Sequence, residues 1–471
     1  MALVANTMHI PLRRAWDILR EAKIQLPPEE CPVQRCYGRI IAEDLVSLRN
    51  VPHYNASAMD GYALSSAATA KATPSSPVIL DHGCFSRLNT GGALPQPFDA
   101  VVMVEDVSLS KDGERLVVGK SVVAGENVRP IGEDVFRGQV IARAGETVTP
   151  ALASLFATAG LSSISVRPLP KTLFIPTGDE IIPVDEWLTL NEPPAGKVGE
   201  SNSFLVQGYF SRWGFPVDIA SCLPDNPEIL ADFLLQKADE YDLLLVGAGS
   251  AKGEKDYTFS IFEKNGFPLF RWLLMKPGRP ASAALLRNAV AVNLPGFPMS
   301  NAVILWSIVF PILQLLQRGD FSETSVIPTA LGAEATEEIP LLIPCSSSPG
   351  KEEWLRLKCV EIDGKKTAYP LPSGASALWS LAEIDAVALL PLESAELPKG
   401  TPVSMWTTRR IPWKERILFQ GSNDPALERL PSFVRNHGGD LLLRSVGSLA
   451  GLAALSRREC HIAAAHLLHA E

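Results

Sequence analysis

The 471-residue chain carries 43 Lys and Arg against 52 Asp and Glu, and 46% of it is hydrophobic, enough for roughly three or four domains. The net charge of −9 and the lack of basic stretches interleaved with aromatic residues argue against a nucleic-acid partner. The apolar segment Ala302–Leu316 is shorter than a membrane span and is interrupted by Pro311. No signal-peptide pattern opens the chain, so we expect a cytoplasmic protein with no membrane partner.

The first third of the chain reads as a small domain with a β-rich insertion. An amphipathic helix is predicted over Leu12–Leu26, and the short elements of Val33–Leu45 should pack against a later segment because they cannot bury themselves. Thr149 and Pro150 have the N-cap and first-turn pattern of a helix over Val148–Gly160. We assign 6–50 and 141–168 to a linker or dimerisation domain, and 51–140, with four predicted strands, to an inserted β-rich domain.

From residue 169 the pattern changes to alternating strands and helices. Strands are predicted at Thr172–Ile175, Pro216–Cys222 and Leu243–Val246, with helices at Ser203–Trp213 and Pro227–Ala238 between them. Repeated βα units with short loops predict a three-layer α/β domain over 169–321, with a parallel sheet covered on both faces. Functional loops should then follow the carboxyl ends of the strands.

Three such loops, Thr177–Glu180, Leu223–Asn226 and Gly247–Asp256, each carry acidic residues, and the last is rich in glycine. Gly247, Gly249 and Gly253 would let the main chain approach a phosphate closely. The loops contribute four acids, which are Asp179, Glu180, Asp225 and Asp256. Acids at neighbouring strand ends can converge on Mg²⁺, although each alone can equally be a solvated turn residue. Lys276 and Arg279 add cationic donors for a second oxyanion.

The last third contains two further domains. Residues 322–411 are rich in strands and predict a small β-barrel-like domain. Residues 412–471 alternate strand and helix as half of a doubly wound domain, which would leave an apolar sheet edge uncovered. His461, His466 and His469 could form a metal cluster, but ordinary loop and strand histidines are the simpler interpretation, since no acid or cysteine completes a ligand set.

A series of motifs resembles the molybdopterin molybdotransferase family, which includes bacterial molybdate-inserting enzymes and the E domain of gephyrin. The motifs occur in the family's order, and they are Ser57-Ala-Met-Asp-Gly-Tyr-Ala63, Asn89-Thr-Gly-Gly-Ala-Leu-Pro95, Gly125–Asp134, Pro176-Thr-Gly-Asp-Glu180, Asp256-Tyr-Thr258, Lys276-Pro-Gly-Arg-Pro280 and Leu294-Pro-Gly-Phe-Pro298. The resemblance implies a homodimer of four-domain subunits. It also implies insertion of molybdate into adenylylated molybdopterin, with release of AMP and assistance from Mg²⁺ or another divalent cation.

The resemblance also implies site residues by motif position. The catalytic set is Asp60, Asp134, Glu180, Asp225 and Asp256, of which Asp225 and Asp256 would hold the metal. The substrate-binding set is Thr90, Thr177, Gly247, Gly249, Ser250, Lys276, Arg279, Pro295, Pro298, Ser300, Arg356 and Ser376. Asp60, Thr90 and Asp134 would reach the cleft from the partner subunit, and the barrel would supply Arg356 and Ser376. Ser300 could instead be a helix N-cap.

Some positions depart from the family pattern and keep other functions open. Ala248 stands in the glycine loop, Phe297 replaces an asparagine, and Trp272 and Arg279 replace lysines. Ala248, Phe297 and Trp272, with the appended half domain, favour an alternative hypothesis, a non-catalytic oxyanion or molybdopterin sensor or scaffold. The enzyme is favoured by the retained residues, which are Asp60, Glu180, Asp225, Asp256 and Lys276. A tungstate-inserting enzyme is a third possibility, because the two anions are nearly isosteric. The C-terminal segment is similar to periplasmic-binding-protein-like domains fused to some family members, which implies a small anion or pterin-related ligand.

Overall fold

The computed structural model describes residues 7–247, 257–372 and 378–467. The chain forms two compact units, one made of the residues up to Leu26 together with those from Leu169 onward, and the other of Pro27–Pro168. The N-terminal segment therefore packs with the α/β domain, whereas the predicted division grouped it with 141–168. Its strand Met8–Ile10 pairs in parallel with Phe267–Leu273, and its helix buries Leu12, Trp16 and Leu19.

The first unit contains most of the regular structure. Its helices are Leu12–Glu21, Val184–Trp187, Asn202–Trp213, Pro227–Lys237, Tyr257–Asn265, Pro298–Ile304, Phe310–Arg318, Val326–Leu331, Leu378–Ala382, Leu430–Asn436 and Ser448–Ser456. Its strands are Met8–Ile10, Thr172–Pro176, Ile181–Ile182, Val198–Gly199, Asp218–Ile219, Leu243–Gly247, Phe267–Leu273, Met275–Lys276, Ser282–Leu286, Ala289–Leu294, Ala335–Pro340, Cys345–Ser346, Glu352–Ile362, Lys365–Pro370, Ala386–Leu390, Glu396–Leu397, Pro402–Thr407, Arg416–Gly421, Asp440–Ser445 and Ile462–Ala464.

A seven-stranded sheet forms the centre of this unit. The strand order is Met8–Ile10, Phe267–Leu273, Ser282–Leu286, Ala289–Leu294, Leu243–Gly247, Thr172–Pro176 and Asp218–Ile219. Ser282–Leu286 runs antiparallel to both of its neighbours, so the prediction of a purely parallel sheet is wrong. The cause is a hairpin at Arg287, where a tight turn returns the chain directly without a crossover helix. The other four pairings are parallel, as predicted.

One long helical segment packs in the core of the first unit. It runs from Pro298 to Arg318 through a π-helical turn at Leu305–Val309. By length and composition this segment could cross a membrane, but 94% of its apolar window is buried inside the protein. The indole Nε1 of Trp16 donates to the Ser307 carbonyl oxygen at 2.7 Å, which fixes the N-terminal helix against it. The segment is therefore the core helix of this unit.

The two C-terminal segments form separate sheets that share a core. The predicted barrel is a six-stranded sheet in which Glu352–Ile362 and Ala386–Leu390 are central. The last three strands form a parallel sheet with Arg416–Gly421 in the middle, and the helices Leu430–Asn436 and Ser448–Ser456 alternate with them, as the half-domain pattern predicts. Leu418 and Leu442 of this last sheet are buried against side chains of the six-stranded sheet, including Val360.

The second unit is built from short strands around one helix. The strands are Glu29–Pro32, Leu45–Val46, Ala56–Ser57, Gly61–Leu64, Val78–Asp81, Phe85–Leu88, Ala100–Met103, Val107–Leu109, Arg115–Val118, Val128–Arg129, Val140–Ala142 and Ser163–Val166. The helix Pro150–Thr158 begins as predicted, because the Thr149 hydroxyl accepts a hydrogen bond from the Leu152 N–H at 3.2 Å. This unit has two hydrophobic clusters. One is formed by residues of the flanking segments and the other by residues of the inserted β-rich segment.

Candidate functional site

Four parallel strands of the central sheet end at one edge. After Thr172–Pro176 the chain crosses to Asp218–Ile219 on one side, and then to Leu243–Gly247 on the other side. The direction in which the chain crosses the sheet therefore reverses between the strands that end at Pro176 and Gly247. A crevice forms outside the carboxyl ends of the strands at such a topological switch point. Ala289–Leu294 ends at the same edge, so the loop that begins at Pro295 also lies there.

Thr177 and Gly247 join two of these strand ends directly. The backbone N–H and the hydroxyl of Thr177 both donate to the Gly247 carbonyl oxygen, at 2.9 and 3.0 Å. A Cβ at position 247 would lie 2.8 Å from the Phe174 ring, so the packing here requires glycine. Thr177 is buried, and its hydroxyl is occupied by this contact. The carboxyl end of the strand Leu243–Gly247 is therefore held against Thr177 and Phe174.

The acids of the first two loops come together, as the sequence predicts. The Asp179 N–H donates to Asp225 Oδ2 at 3.4 Å, and the Asp225 N–H donates to Asp179 Oδ1 at 3.2 Å. Partial burial raises the pKa of Asp225, the Asp179 N–H opposes that rise, and the negative charges of Glu180 and Asp179 add to it. A cation bound between these carboxylates would favour their ionised forms and so oppose that rise.

The same acidic side chains also act on the thiol of Cys222. Burial raises the pKa of its thiol, and Glu200, Asp225, Glu180 and Asp179 raise it further. Across 7–247, 257–372 and 378–467 no group of three or more His, Cys, Asp or Glu side chains has the arrangement of a metal site. Two carboxylates completed by substrate phosphate are nevertheless the usual way in which proteins hold Mg²⁺, so the acids present fit the ion.

Lys276 lies in a strand that links the α/β domain to the six-stranded sheet. Met275–Lys276 pairs in parallel with Glu352 and Glu353. Lys276 Nζ is 3.1 Å from Glu353 Oε1 and 3.3 Å from Ser348 Oγ. Because Glu353 is buried and the Lys276 side chain is 44% exposed, the ammonium is anchored on one side and open to solvent on the other.

Trp272, which stands where the family resemblance implies a lysine, has two guanidinium groups close to its ring. The guanidinium carbons of Arg271 and Arg279 lie 4.4 and 5.4 Å from its ring centroid, and the His9 ring lies 4.8 Å away. The two guanidinium distances are within the range at which cation–π attraction acts. Arg279 is exposed, so its remaining donors face solvent. Two guanidinium groups therefore supply positive charge around Trp272.

The loop that contains Pro295 and Phe297 is held by two asparagines. Asn202 Nδ2 donates to the Gly296 carbonyl oxygen at 2.9 Å, and Asn301 Nδ2 lies 3.4 Å from that of Pro295. Pro295 is buried and Pro298 is half-buried. Phe297 is the N-cap of the following helix and makes no side-chain cap, so the alternative N-cap role for Ser300 is wrong. Ser300 is buried in the first turn of that helix.

In the second unit, Asp60 and Thr90 are in direct contact. Thr90 donates its N–H to Asp60 Oδ1 at 2.6 Å and its hydroxyl to the same oxygen at 2.9 Å. These two hydrogen bonds lower the pKa of Asp60, and Arg87 contributes to the same direction. The Asp134 N–H donates to the Val51 carbonyl oxygen at 3.0 Å, which ties the loop of Asp134 to the segment that precedes Asp60. All three predicted residues are exposed.

Arg356 is placed differently from a substrate-facing residue. It is only 5% exposed, and its guanidinium donates to the Ser380 hydroxyl and, at 2.7 Å, to the Pro372 carbonyl oxygen. Burial lowers the pKa of Arg356, and the negative charge of Glu353 opposes that effect. The remaining predicted residues lie outside the described residues, and they are Gly249, Ser250, Asp256 and Ser376.

The C-terminal histidines do not assemble a metal centre within the described part of the chain. His461 Nδ1 accepts the Leu418 N–H at 2.9 Å, and the His466 N–H donates to the Ser448 hydroxyl at 3.2 Å. Both contacts tie loops to the last sheet. His469 lies outside the described residues.

Three family models match consecutive segments of the chain. They are described as the MoeA N-terminal region (domain I and II), a probable molybdopterin binding domain, and the MoeA C-terminal region (domain IV), and they cover residues 10–160, 174–315 and 338–407. A Haemophilus influenzae protein named molybdopterin molybdenumtransferase is 30% identical over 311 residues, which are 64% of this chain and 76% of the relative. The chain belongs to this family. A Bacillus subtilis protein of the same name is 28% identical over 82% of this chain and 91% of its own length.

A solved structure agrees with the fold. The molybdopterin biosynthesis moeA protein of Pyrococcus horikosii is 24% identical, covers 86% of this chain and 100% of its own, and superposes with a TM-score of 0.64. This likeness supports a multidomain protein of α/β and β architecture. The family models stop at residue 407, so the last parallel sheet lies beyond the segments that they match.

Two residues at the site were not assigned a role from the sequence. Asp179 was noted as a loop acid only, yet it exchanges hydrogen bonds with Asp225. Glu353 anchors Lys276 and was missed, because the contact joins residues 77 positions apart through a two-residue strand. An acidic residue within an otherwise apolar strand pattern, Trp354-Leu-Arg-Leu, was the available signal for Glu353.

Proposed function

We propose that the chain inserts molybdate into adenylylated molybdopterin and releases AMP, as a molybdopterin molybdenumtransferase of molybdenum cofactor biosynthesis. The observation that carries this proposal is the convergence at one sheet edge of the Thr177–Glu180 turn, Asp225, the end of Leu243–Gly247 and the Pro295 loop. Backbone N–H groups and a helix start at such an edge suit phosphate, and the adjacent Lys276 suits a tetrahedral oxyanion.

In this proposal the acidic residues bind the metal ion and the basic residues bind the oxyanion. Asp225, with Asp179 beside it and Asp256 from the glycine loop, would hold Mg²⁺ against the phosphate that links the pterin to AMP. The ion would supply charge neutralisation at that phosphate. Lys276 and Arg279 would bind molybdate, with Lys276 oriented by Glu353. Glu180 lies close enough to affect Asp225 electrostatically, so it would shape the same phosphate site.

The exposed trio of the second unit suggests how a homodimer would complete the site. Asp60, Thr90 and Asp134 lie on connected loops and are exposed. We propose that they face the cleft of a second copy, and that the enzyme acts in the cytoplasm. Arg356 would then act indirectly, through Glu353 and Lys276, because its guanidinium is buried.

The test is AMP release by the full chain incubated with adenylylated molybdopterin, Mg²⁺ and molybdate. We expect AMP and active cofactor to form in proportion to molybdate, and Asp225→Asn to abolish both. Asp232→Asn is the matched control, since Asp232 is exposed on the helix Pro227–Lys237 just beyond the loop. Lys276→Met should raise the molybdate concentration required and leave binding of the adenylylated pterin unchanged.

A sensor or scaffold remains the second candidate because of Phe297. This side chain is 51% exposed at the start of the helix Pro298–Ile304, where relatives carry a polar asparagine. Tight binding of adenylylated molybdopterin without AMP release would establish the sensor and refute the enzyme. The same assay with tungstate in place of molybdate separates the two metal-inserting activities.

A further inference from the structure

A turn formed by residues 347–351 lies beside the proposed oxyanion site, and backbone hydrogen bonds hold both of its ends. The Ser347 N–H donates to the Ala395 carbonyl oxygen at 2.6 Å. The Glu352 N–H, which follows the turn, donates to the Leu274 carbonyl oxygen at 2.8 Å. The turn is therefore tied on one side to a neighbouring loop and on the other side to the segment that leads into the site.

Glu353 joins this turn to Lys276. Its side chain is buried, and its two carboxylate oxygens face different donors. Oε1 lies 3.1 Å from Lys276 Nζ. Oε2 accepts the Ser348 N–H at 3.1 Å and the Ser347 hydroxyl at 3.2 Å. A buried carboxylate is costly unless its oxygens are satisfied, so this arrangement fixes the ammonium and the turn relative to each other.

The Ser348 hydroxyl is placed to donate to a ligand. Its oxygen accepts a hydrogen bond from Lys276 Nζ at 3.3 Å. A hydroxyl that accepts in this way still has one hydrogen to donate, and no acceptor takes it up among the residues that the structure describes. Ser348 is half-buried and the Lys276 side chain is 44% exposed, so a solute can reach both groups.

Lys276 also retains a donor for the same ligand. An ammonium has three N–H donors, and Glu353 and Ser348 account for two of them. The third N–H and the Ser348 O–H belong to atoms 3.3 Å apart, so one molecule with several acceptor oxygens can receive both. The positive charge makes an oxyanion the preferred molecule of this kind. Both oxygens of Glu353 are already occupied, so its carboxylate is not available to compete for these two donors.

We propose that Ser348 is a further substrate-contacting residue, whose hydroxyl donates to the molybdate oxyanion held by Lys276. Glu353 is then the positioning residue for both donors. This inference rests on the proposed function, because it adds a residue to the oxyanion site named there. The motifs do not contain Ser348, since its role follows from a contact with a lysine 72 positions away.

The test is the affinity of the full chain for molybdate, measured by titration calorimetry without adenylylated pterin, together with the molybdate dependence of AMP release. Ser348→Ala removes a hydrogen bond to a charged ligand, so we expect it to weaken molybdate binding and raise the molybdate requirement by about ten- to a hundredfold, at a similar maximal rate. Ser348→Thr keeps the hydroxyl and should restore both. Ser346→Ala is the matched control, because Ser346 is an exposed serine two positions earlier, and it should bind molybdate as the unchanged chain does.

A second variant separates donation to the anion from support of the turn. Ser347→Ala removes one hydrogen bond to Glu353 but no donor to the ligand, so it should weaken molybdate binding less than Ser348→Ala does. Equal losses in these two variants would overturn the inference, because the turn would then only support the lysine. Equal affinities in Ser348→Ala and Ser346→Ala would also overturn it, as would an unchanged chain that binds no molybdate at millimolar concentrations. Molybdate binding with the expected order of variants but without AMP release would refute the enzyme and retain Ser348 in the oxyanion site.

Discussion

One buried arginine links the last parallel sheet to the six-stranded sheet beside their shared hydrophobic core, and replacing it tests how much that link contributes. The Arg416 side chain is 4% exposed, with NH1 2.5 Å from Asp385 Oδ2 and Nε 2.6 Å from Asp440 Oδ2. Burial alone would lower the pKa of Arg416, but the two carboxylates outweigh it and raise the pKa. NH1 also donates to the Cys359 carbonyl oxygen at 2.7 Å, so the guanidinium links the last sheet to the six-stranded one.

Arg416→Met should therefore leave Asp385 buried with one cation fewer. Asp385 is fully buried and would retain Arg409 and the more distant Lys358. Removing one partner of a buried ion pair costs about 3–5 kcal/mol. Each 1.4 kcal/mol is tenfold, so amide hydrogens of Arg416–Gly421 should exchange about a hundred to a few thousand times faster.

Hydrogen exchange is the right assay, because a chain with several domains need not unfold in one step. Arg458→Met is the control, since its side chain is 82% exposed and its pair with Asp363 spans 3.4 Å. A surface pair of this kind contributes less than about 1 kcal/mol. Equal exchange rates in the two variants would refute the view that the Arg416 network fixes the last sheet.

Three further predictions concern the site and its support. Gly247→Ala should lower the unfolding free energy by about 1–3 kcal/mol, measured in denaturant, because the added Cβ meets Phe174, whereas Gly208→Ala in an open helical position should raise it by roughly 0.5–1 kcal/mol. Thr90→Val should move the pKa of Asp60 up toward its ordinary 3.8, measured by carboxyl ¹³C titration. Since the folded-state pKa is the lower one, the stability from this contact is present above 3.8 and is lost as the pH falls through the folded-state value, and an unmoved titration would contradict it. Mg²⁺ should raise the melting temperature at pH 7 and lose that effect in Asp225→Asn but not in Asp232→Asn; equal shifts in all three would remove Asp225 as a ligand.

Local sequence signals predict the helices and strands whose formation is decided by neighbouring residues. Thr149 with Pro150 specified a helix start, and the apolar run at Leu243–Val246 specified a buried strand, because capping and strand burial are decided within a few residues. The convergence of the loops at Thr177 and Asp225 followed from the βα order alone. The sequence therefore predicts both these secondary-structure elements and the convergence of the acidic loops at the site.

Contacts between distant segments could not be obtained in this way. The strand Met8–Ile10 joins the sheet beside Phe267–Leu273, and no local sequence pattern around Met8–Ile10 indicates that partner. The same applies to Lys276 and Glu353, whose meeting depends on a two-residue parallel pairing. Arg356 was assigned to a substrate from its charge, but strand position and burial determine where its guanidinium points.

The departures from the family pattern have a common physical consequence at the proposed oxyanion site. Trp272 removes an ammonium but stacks with Arg271 and Arg279, so the cationic charge shifts to guanidinium groups whose donors are planar and fixed. Phe297 removes a polar side chain at the start of the helix Pro298–Ile304, which leaves the backbone N–H groups of that turn as the local donors. Recognition of the anion then depends on charge and backbone geometry more than on side-chain amides. Trp272→Lys adds one ammonium but removes the ring that holds Arg279, and we expect the loss of placement to outweigh the added charge, so that the molybdate requirement rises. A molybdate requirement that falls in this variant would refute that reasoning.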